Sequence, residues 1–160
     1  MLRLKKINRE NVWDILKLEV SDDQKSFVAT NGISIIEAYT AITENGYAFP
    51  FAIYEDDIPV GFLMIGYDAD DYWYDAPKIA KGNYNLWRLM IDKNYQGKGL
   101  GKEAVRLALD FINTFPCGIG EYCWLSYEAE NDIARQLYSS FGFVETGEKD
   151  GEELIAVLKL

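Results

Sequence analysis

Two periods run through the apolar positions of this chain. Leu2, Leu4 and Ile7 nearly alternate with polar residues and predict an opening strand over residues 1–7. Val12, Ile15, Leu16 and Leu18 follow at helical spacing, behind Asn8 or Asn11 as the cap. Residues 21–24, SDDQ, break that pattern. A second helix is predicted over 32–44, with Ile35, Ile36, Tyr39 and Ile42 on its apolar side and Asn45-Gly46 as its stop. Residues 47–54 and 58–66 read as strands of an antiparallel hairpin turning at 55–57, and 67–83 as an acidic, aromatic insertion.

The apolar run 86–91, LWRLMI, predicts a strand that leads into residues 96–101, QGKGLG. Behind it Ala104, Val105, Ala108, Phe111, Ile112 and Phe115 fall at helical spacing, and that helix stops before Pro116. A strand over 121–127, a short helix capped by Asn131 and closed by Gly142, and strands over 143–148 and 153–159 complete the chain. With neither repeat nor linker, the 160 residues read as a single domain over 1–160.

QGKGLG carries the chemistry. Its three glycines strip side chains from a turn that opens a helix, so backbone N–H groups and the positive end of the helix dipole point at one place. That arrangement suits a phosphate or pyrophosphate. A P-loop with its second glycine at Gly101 would need glycine at Gln96 and a hydroxyl at Glu103, and both fail. A dinucleotide fingerprint would need glycine or alanine at Lys102 and an acidic residue about 20 positions on, near Pro116 and Cys117, and it fails too. Read alone, the stretch still admits an ordinary glycine-rich turn.

A second motif lies downstream: Asn131-x-x-Ala134-x-x-Leu137-Tyr138-x-x-x-Gly142-Phe143. Together the two resemble the GCN5-related N-acetyltransferases (GNAT family), whose loop reads Gln/Arg-x-x-Gly-x-Gly/Ala. The resemblance implies an α/β (α+β) fold: a mixed, mostly antiparallel sheet of seven strands, about four flanking helices, and a splay between strands 4 and 5. It implies acetyl-CoA as cosubstrate, its pyrophosphate on Gln96, Gly97, Lys98, Gly99, Leu100, Gly101 and Lys102 and its pantetheine along Leu89, Met90 and Ile91. Asn131 and Ala134 become CoA contacts, Asn131 being a helix cap first. Tyr138, otherwise a core tyrosine beside Leu137, becomes the general acid that protonates the departing thiolate, and a CoA contact. The glutamate that human-type spermidine/spermine acetyltransferases carry before the loop is replaced here by Trp87, so that role does not transfer. Glu128, just past the strand at 121–127, and a water chain are the remaining candidates for the base.

A closer resemblance is to the bacterial diamine and spermine/spermidine acetyltransferases, through Val20-Ser21-x-x-Gln24, Val60-Gly61-Phe62 and Arg88-Leu89-Met90-Ile91-Asp92-x-x-Tyr95-Gln96-Gly97-Lys98-Gly99. A polyamine pocket should combine carboxylates with aromatic faces. Candidates are Asp22, Asp23, Glu37, Trp87 and Glu128, with Asp71, Tyr72 and Trp73 of the insertion, which reads equally well as a solvated loop. Other amines remain open as acceptors, namely a peptide N-terminus, a lysine or an aminoglycoside, and so does a non-catalytic CoA or polyamine sensor.

Composition narrows the field. The 26 acidic against 16 basic residues give a formal net charge of −10, which disfavours nucleic acid and anionic membrane and suits a small cationic amine. Histidine is absent, so proton transfer falls to carboxylates, Tyr, Lys, Cys or water. Cys117 and Cys123 read as plain thiols, no metal site is indicated, and the absence of a leader or long apolar run reads as cytoplasmic. Quaternary state stays open, and the resemblance admits a homodimer.

Overall fold

Residues 60–65, VGFLMI, form an unbroken apolar run because the sheet they join is covered on both faces. The structure, a computed structural model, describes residues 1–69 and 75–160. Its elements are β1 (Leu2–Lys6), α1 (Val12–Lys17), α2 (Asn31–Thr43), β2 (Tyr47–Glu55), β3 (Ile58–Tyr67), β4 (Tyr84–Ile91), α3 (Leu100–Ile112), β5 (Tyr122–Tyr127), α4 (Asp132–Ser139), β6 (Val144–Asp150) and β7 (Glu153–Lys159). The sheet has seven strands in the order β1-β2-β3-β4-β5-β7-β6. All its pairs are antiparallel except β4 with β5.

Side-chain alternation divides the core. Phe51, Ile53, Leu63 and Ile65 pack with Ala104, Val105, Ala108 and Ile112 of α3, and Leu137 and Tyr138 of α4 join them. On the opposite face Ala48, Ala52, Phe62 and Met64 pack with Ile15 of α1 and with Ala38 and Ala41 of α2. A satellite cluster of Ala69, Ala80, Trp124 and Ile155 takes in Ala76 and Ile79, so the later part of the insertion packs onto the sheet.

One expectation is overturned in α2. Ile36, Tyr39 and Ile42 face solvent, at 63%, 69% and 54% exposure, while Asn31, Ser34, Ala38 and Ala41 are buried. The helix lies on the sheet through its smallest side chains, which allow a close approach that isoleucine and tyrosine would block. Of the four residues expected inside, Ile35 packs against the core. Leu16 of α1 likewise lies outward, 39% exposed. The stop at Asn45-Gly46 holds: Asn45 sits at φ 64°, and the Gly46 N–H donates to the Ala41 carbonyl at 2.7 Å.

The pairing of β4 with β5 is short. They are in register only at Tyr84↔Cys123 and Asn85↔Trp124. Beyond those two pairs the parallel strands diverge, which leaves the sheet split between Trp87 to Ile91 on one side and Ser126 and Tyr127 on the other. This is the expected splay between strands 4 and 5.

Candidate active site

The split opens into a cavity of about 1310 Å³. One end is the glycine turn. Gly97 and Gly99 adopt φ 77° and 79°, left-handed values that glycine takes at little cost. A Cβ built on either meets nothing within 4 Å, so the backbone borders open space that a ligand can use. Gly99 is the N-cap of α3, and the first hydrogen bond closing onto it comes from the Glu103 N–H at 3.3 Å. The amides of Leu100, Gly101 and Lys102 therefore precede the helical ladder, and all three residues line the cavity. An anion fits here on backbone donors, helix dipole and the Lys102 charge together.

The turn is braced from behind. The buried Asp92 carboxylate accepts from the Glu19 N–H at 3.0 Å and from the Asn94 backbone and side-chain N–H groups, each at 3.0 Å. The Gln96 amide donates to the Ile91 carbonyl at 2.9 Å and to the Gln24 side chain at 2.8 Å. The Gln96 side chain thus ties the end of β4 to the loop after α1.

The other wall is α4. The Asn131 side chain accepts from the Ala134 N–H at 3.3 Å and so caps the helix, while the Phe143 N–H donates back to the Tyr138 carbonyl at 3.2 Å beyond Gly142 at φ 95°. Replacing Asn131 with alanine is expected to cost about 1 kcal/mol. That corresponds to a fall in Tm of about 3 °C, which calorimetry would check. Two turns along, the Tyr138 ring stacks on Tyr127 with centroids 6.1 Å apart and meets the edge of Phe143 at 5.8 Å. Burial, with Cys123 and Tyr127 nearby, pushes the Tyr138 phenol above its ordinary value. Tyr127 is pushed up to about 12 by burial and by its hydrogen bond to Glu145.

Of the residues expected to hold CoA, Leu89, Met90, Ile91, Gln96, Gly97, Gly99, Leu100, Gly101, Lys102, Asn131, Ala134 and Tyr138 line this one cavity. Lys98 is not among its lining residues; its ammonium lies over the Tyr95 ring at 5.3 Å. Of the residues expected for the amine, Asp23, Glu37, Trp87 and Glu128 line it. Asp22 does not, and is ion-paired with Lys25 at 2.7 Å. Glu37 grips the Arg88 guanidinium through both carboxylate oxygens, at 3.2 and 3.1 Å, so its charge is already balanced. Asp71, Tyr72 and Trp73 lie outside the described residues.

The cavity also takes in Ser126, Asp150 and Glu153, which the sequence did not single out. In the sequence Glu153 is only the first residue of the last predicted strand, and Asp150 falls between the last two. Burial raises the carboxyls of both above the usual range. Among the described residues no group of three or more His, Cys, Asp and Glu side chains is placed to hold a metal ion. No described helix is long and apolar enough to cross a membrane.

Comparison with known proteins places this architecture. Residues 9–143 match the model of the acetyltransferase (GNAT) family. The chain belongs to the GNAT family. Its chemistry is therefore acetyl transfer from acetyl-CoA to an amine. The GNAT chain is 32% identical over 161 aligned positions to a probable spermine N(1)-acetyltransferase of Bacillus subtilis subsp. natto, covering 96% of each. It is 31% identical, again over 96% of each, to a spermine/spermidine N(1)-acetyltransferase of Bacillus subtilis strain 168. Among solved structures, an aminoglycoside acetyltransferase in complex with coenzyme A shares the GNAT fold at a TM-score of 0.76 and 14% identity, covering 99% of this chain and 95% of that one.

Proposed function

We propose that this GNAT enzyme acetylates a primary amine of a polyamine such as spermidine, spermine or a diamine, by direct attack of the amine on the thioester. The observation that carries this is a single cavity lined both by a glycine turn suited to an anion and by Asp23, Trp87, Glu128, Asp150 and Glu153. Carboxylates and an indole face complement ammonium groups on an apolar chain. The names of the two Bacillus relatives point the same way, and the net charge of −10 suits a small cation better than nucleic acid or an anionic membrane.

Acetyl-CoA supplies the activated carbonyl. The protein supplies position and proton transfer. The glycine turn holds the pyrophosphate, and the β4 backbone at Leu89 to Ile91, unpaired toward β5, receives the pantetheine amides. Tyr138 donates to the sulfur as the thioester breaks. Glu128, directly or through water, is the candidate identified from the sequence for the amine proton.

A thiol-release assay with acetyl-CoA over polyamines, amino acids, peptides and an aminoglycoside tests the substrate class. The expected result is the highest kcat/KM with spermidine, spermine or a diamine. Silence with every polyamine, alongside turnover of another amine, would reassign the acceptor.

A further inference from the structure

Three carboxylates converge at the mouth of the split by strand register alone. Tyr127 pairs with Leu154, which sets Glu128 beside Glu153, and Glu153 pairs directly with Asp150. All three line the cavity that also contains the glycine turn and Tyr138. Glu153 is half-buried, and a hydrogen bond links it to Ser126.

The two faces of the sheet give this corner its meaning. Along β5, Cys123, Leu125 and Tyr127 enter the core under α3, where Tyr138 also packs, while Trp124 belongs to the opposite face. Along β7, Ala156 keeps the α3 side and Ile155 packs with Trp124. Glu153 shares the parity of Ile155 and contacts Ser126, which shares that of Trp124. Glu153 therefore reaches the cavity from the α2 side of the sheet and Tyr138 from the α3 side. The gap between β4 and β5 is where the two sides meet.

The charges that face Glu153 are Asp150 of β6, Glu128 after β5 and Arg88 of β4, with Ser126 as its hydrogen-bonding neighbour. Glu37 of α2 neutralises Arg88. Arg88, shared with Glu37, is the one cation among these neighbours, and it offsets only part of the effect of burial and the two nearby carboxylates on Glu153.

We propose that Glu153 holds the reacting ammonium group of a di- or polyamine and accepts its proton, with Asp150 and Glu128 keeping the corner negative. This rests on the amine acetyltransferase assignment. The step balances: the ammonium gives one proton to the Glu153 carboxylate, the freed nitrogen lone pair forms the C–N bond, and the C–S bond breaks. Tyr138 gives its proton to the sulfur, and the second proton on the new amide nitrogen restores Tyr138. Glu153 loses its proton to water as the product leaves. Burial and the neighbouring Asp150 and Glu128 raise the Glu153 carboxyl, which makes it a better acceptor than an ordinary glutamate.

The test is Glu153→Gln, with the exposed neighbour Glu152→Gln as control. Glu153→Gln should lower kcat/KM for spermidine about 100-fold while leaving CoA affinity unchanged. It should also abolish the acid limb of the pH profile, where wild-type activity falls as the carboxylate protonates above the ordinary glutamate range. Calorimetric binding of spermidine to the enzyme–CoA complex should weaken at least about 10-fold, by loss of a charge-assisted contact. Glu152→Gln should match the wild type. Retention of kcat/KM within about threefold, a range small against the effect of a proton-transfer group, with the acid limb in place, would overturn the proposal and leave the polyamine assignment standing. If the wild type acetylates no polyamine, that assignment falls and calorimetry decides the site: spermidine binding lost in Glu153→Gln sustains it, and absence of binding to the wild type overturns it.

Discussion

Replacing Tyr138 with phenylalanine is expected to lower kcat about 100-fold and leave the Kd for CoA within about twofold, on the scale of a positioned acid. The substitution is conservative where packing is concerned. The ring keeps its stack on Tyr127 and its edge contact with Phe143, and among the described residues the hydroxyl has no hydrogen bond to lose. What disappears is a donor at the cavity wall. A phenol at its ordinary pKa of about 10 lies roughly 1.5 units above an ordinary thiol, so complete transfer to a free thiolate is uphill by about 2 kcal/mol. Burial of Tyr138 raises it further. The benefit therefore comes from a hydrogen bond that strengthens as charge grows on sulfur, with the proton replaced from the amine. A 100-fold effect equals about 2.7 kcal/mol, within the range for such a group. The sign of the shift also sets the pH dependence. A raised phenol stays protonated throughout the neutral range, so Tyr138 imposes no alkaline limb below about pH 10. Steady-state kinetics of the variant at several pH values check both points, and full kcat in Tyr138→Phe would remove the general-acid role.

Gly61→Ala should destabilise the protein by about 3 kcal/mol, the upper end for overpacking. Gly61 sits in β3 opposite Ile91. A Cβ there would lie 2.4 Å from the Met90 carbonyl oxygen, 3.1 Å from Ile91 Cδ1 and 3.2 Å from Ile53 Cδ1. The two side chains can give way, but the carbonyl is backbone and cannot rotate aside. Relief requires β3 and β4 to separate, next to the 2.8 Å bond from the Asp92 N–H to the Val60 carbonyl. For a chain of this size the expected fall in Tm is about 10 °C. Because Met90 and Ile91 also border the cavity, a rise in KM for acetyl-CoA should accompany the lost stability. Chemical denaturation and kinetics on one preparation measure both. A loss below about 1 kcal/mol would show that the strands relax more cheaply than close packing allows.

Local features were legible before any coordinates. Asn131 caps α4, Gly142 closes it, Asn45 takes a left-handed conformation, and Gly97 and Gly99 open the helix turn, because each role depends on a few neighbouring residues and one or two dihedral angles. The buried face of α2 departs from its hydrophobic spacing for a related reason. Hydrophobic spacing reports an apolar stripe, whereas the distance at which a helix meets a sheet is decided by the partner surface, here through Ser34, Ala38 and Ala41. Glu153 carries no sequence signal of its own, because its neighbour Glu128 follows β5, far away in the chain, and its neighbour Asp150 is brought opposite it only by the β6–β7 register.

By itself, the amino-acid sequence determined the order of elements, the glycine turn with its anion chemistry, and the two motifs that mark the family. All of these are written in spacings of less than about fifteen residues. Only the tertiary structure decided where β4 and β5 part, which face of the sheet each reactive group approaches from, and which carboxylates share a corner. Those outcomes depend on strand register, and register is set by contacts between segments far apart in the chain, each weakly specified by its own residues. The glycine turn is local, and the cavity it borders is not.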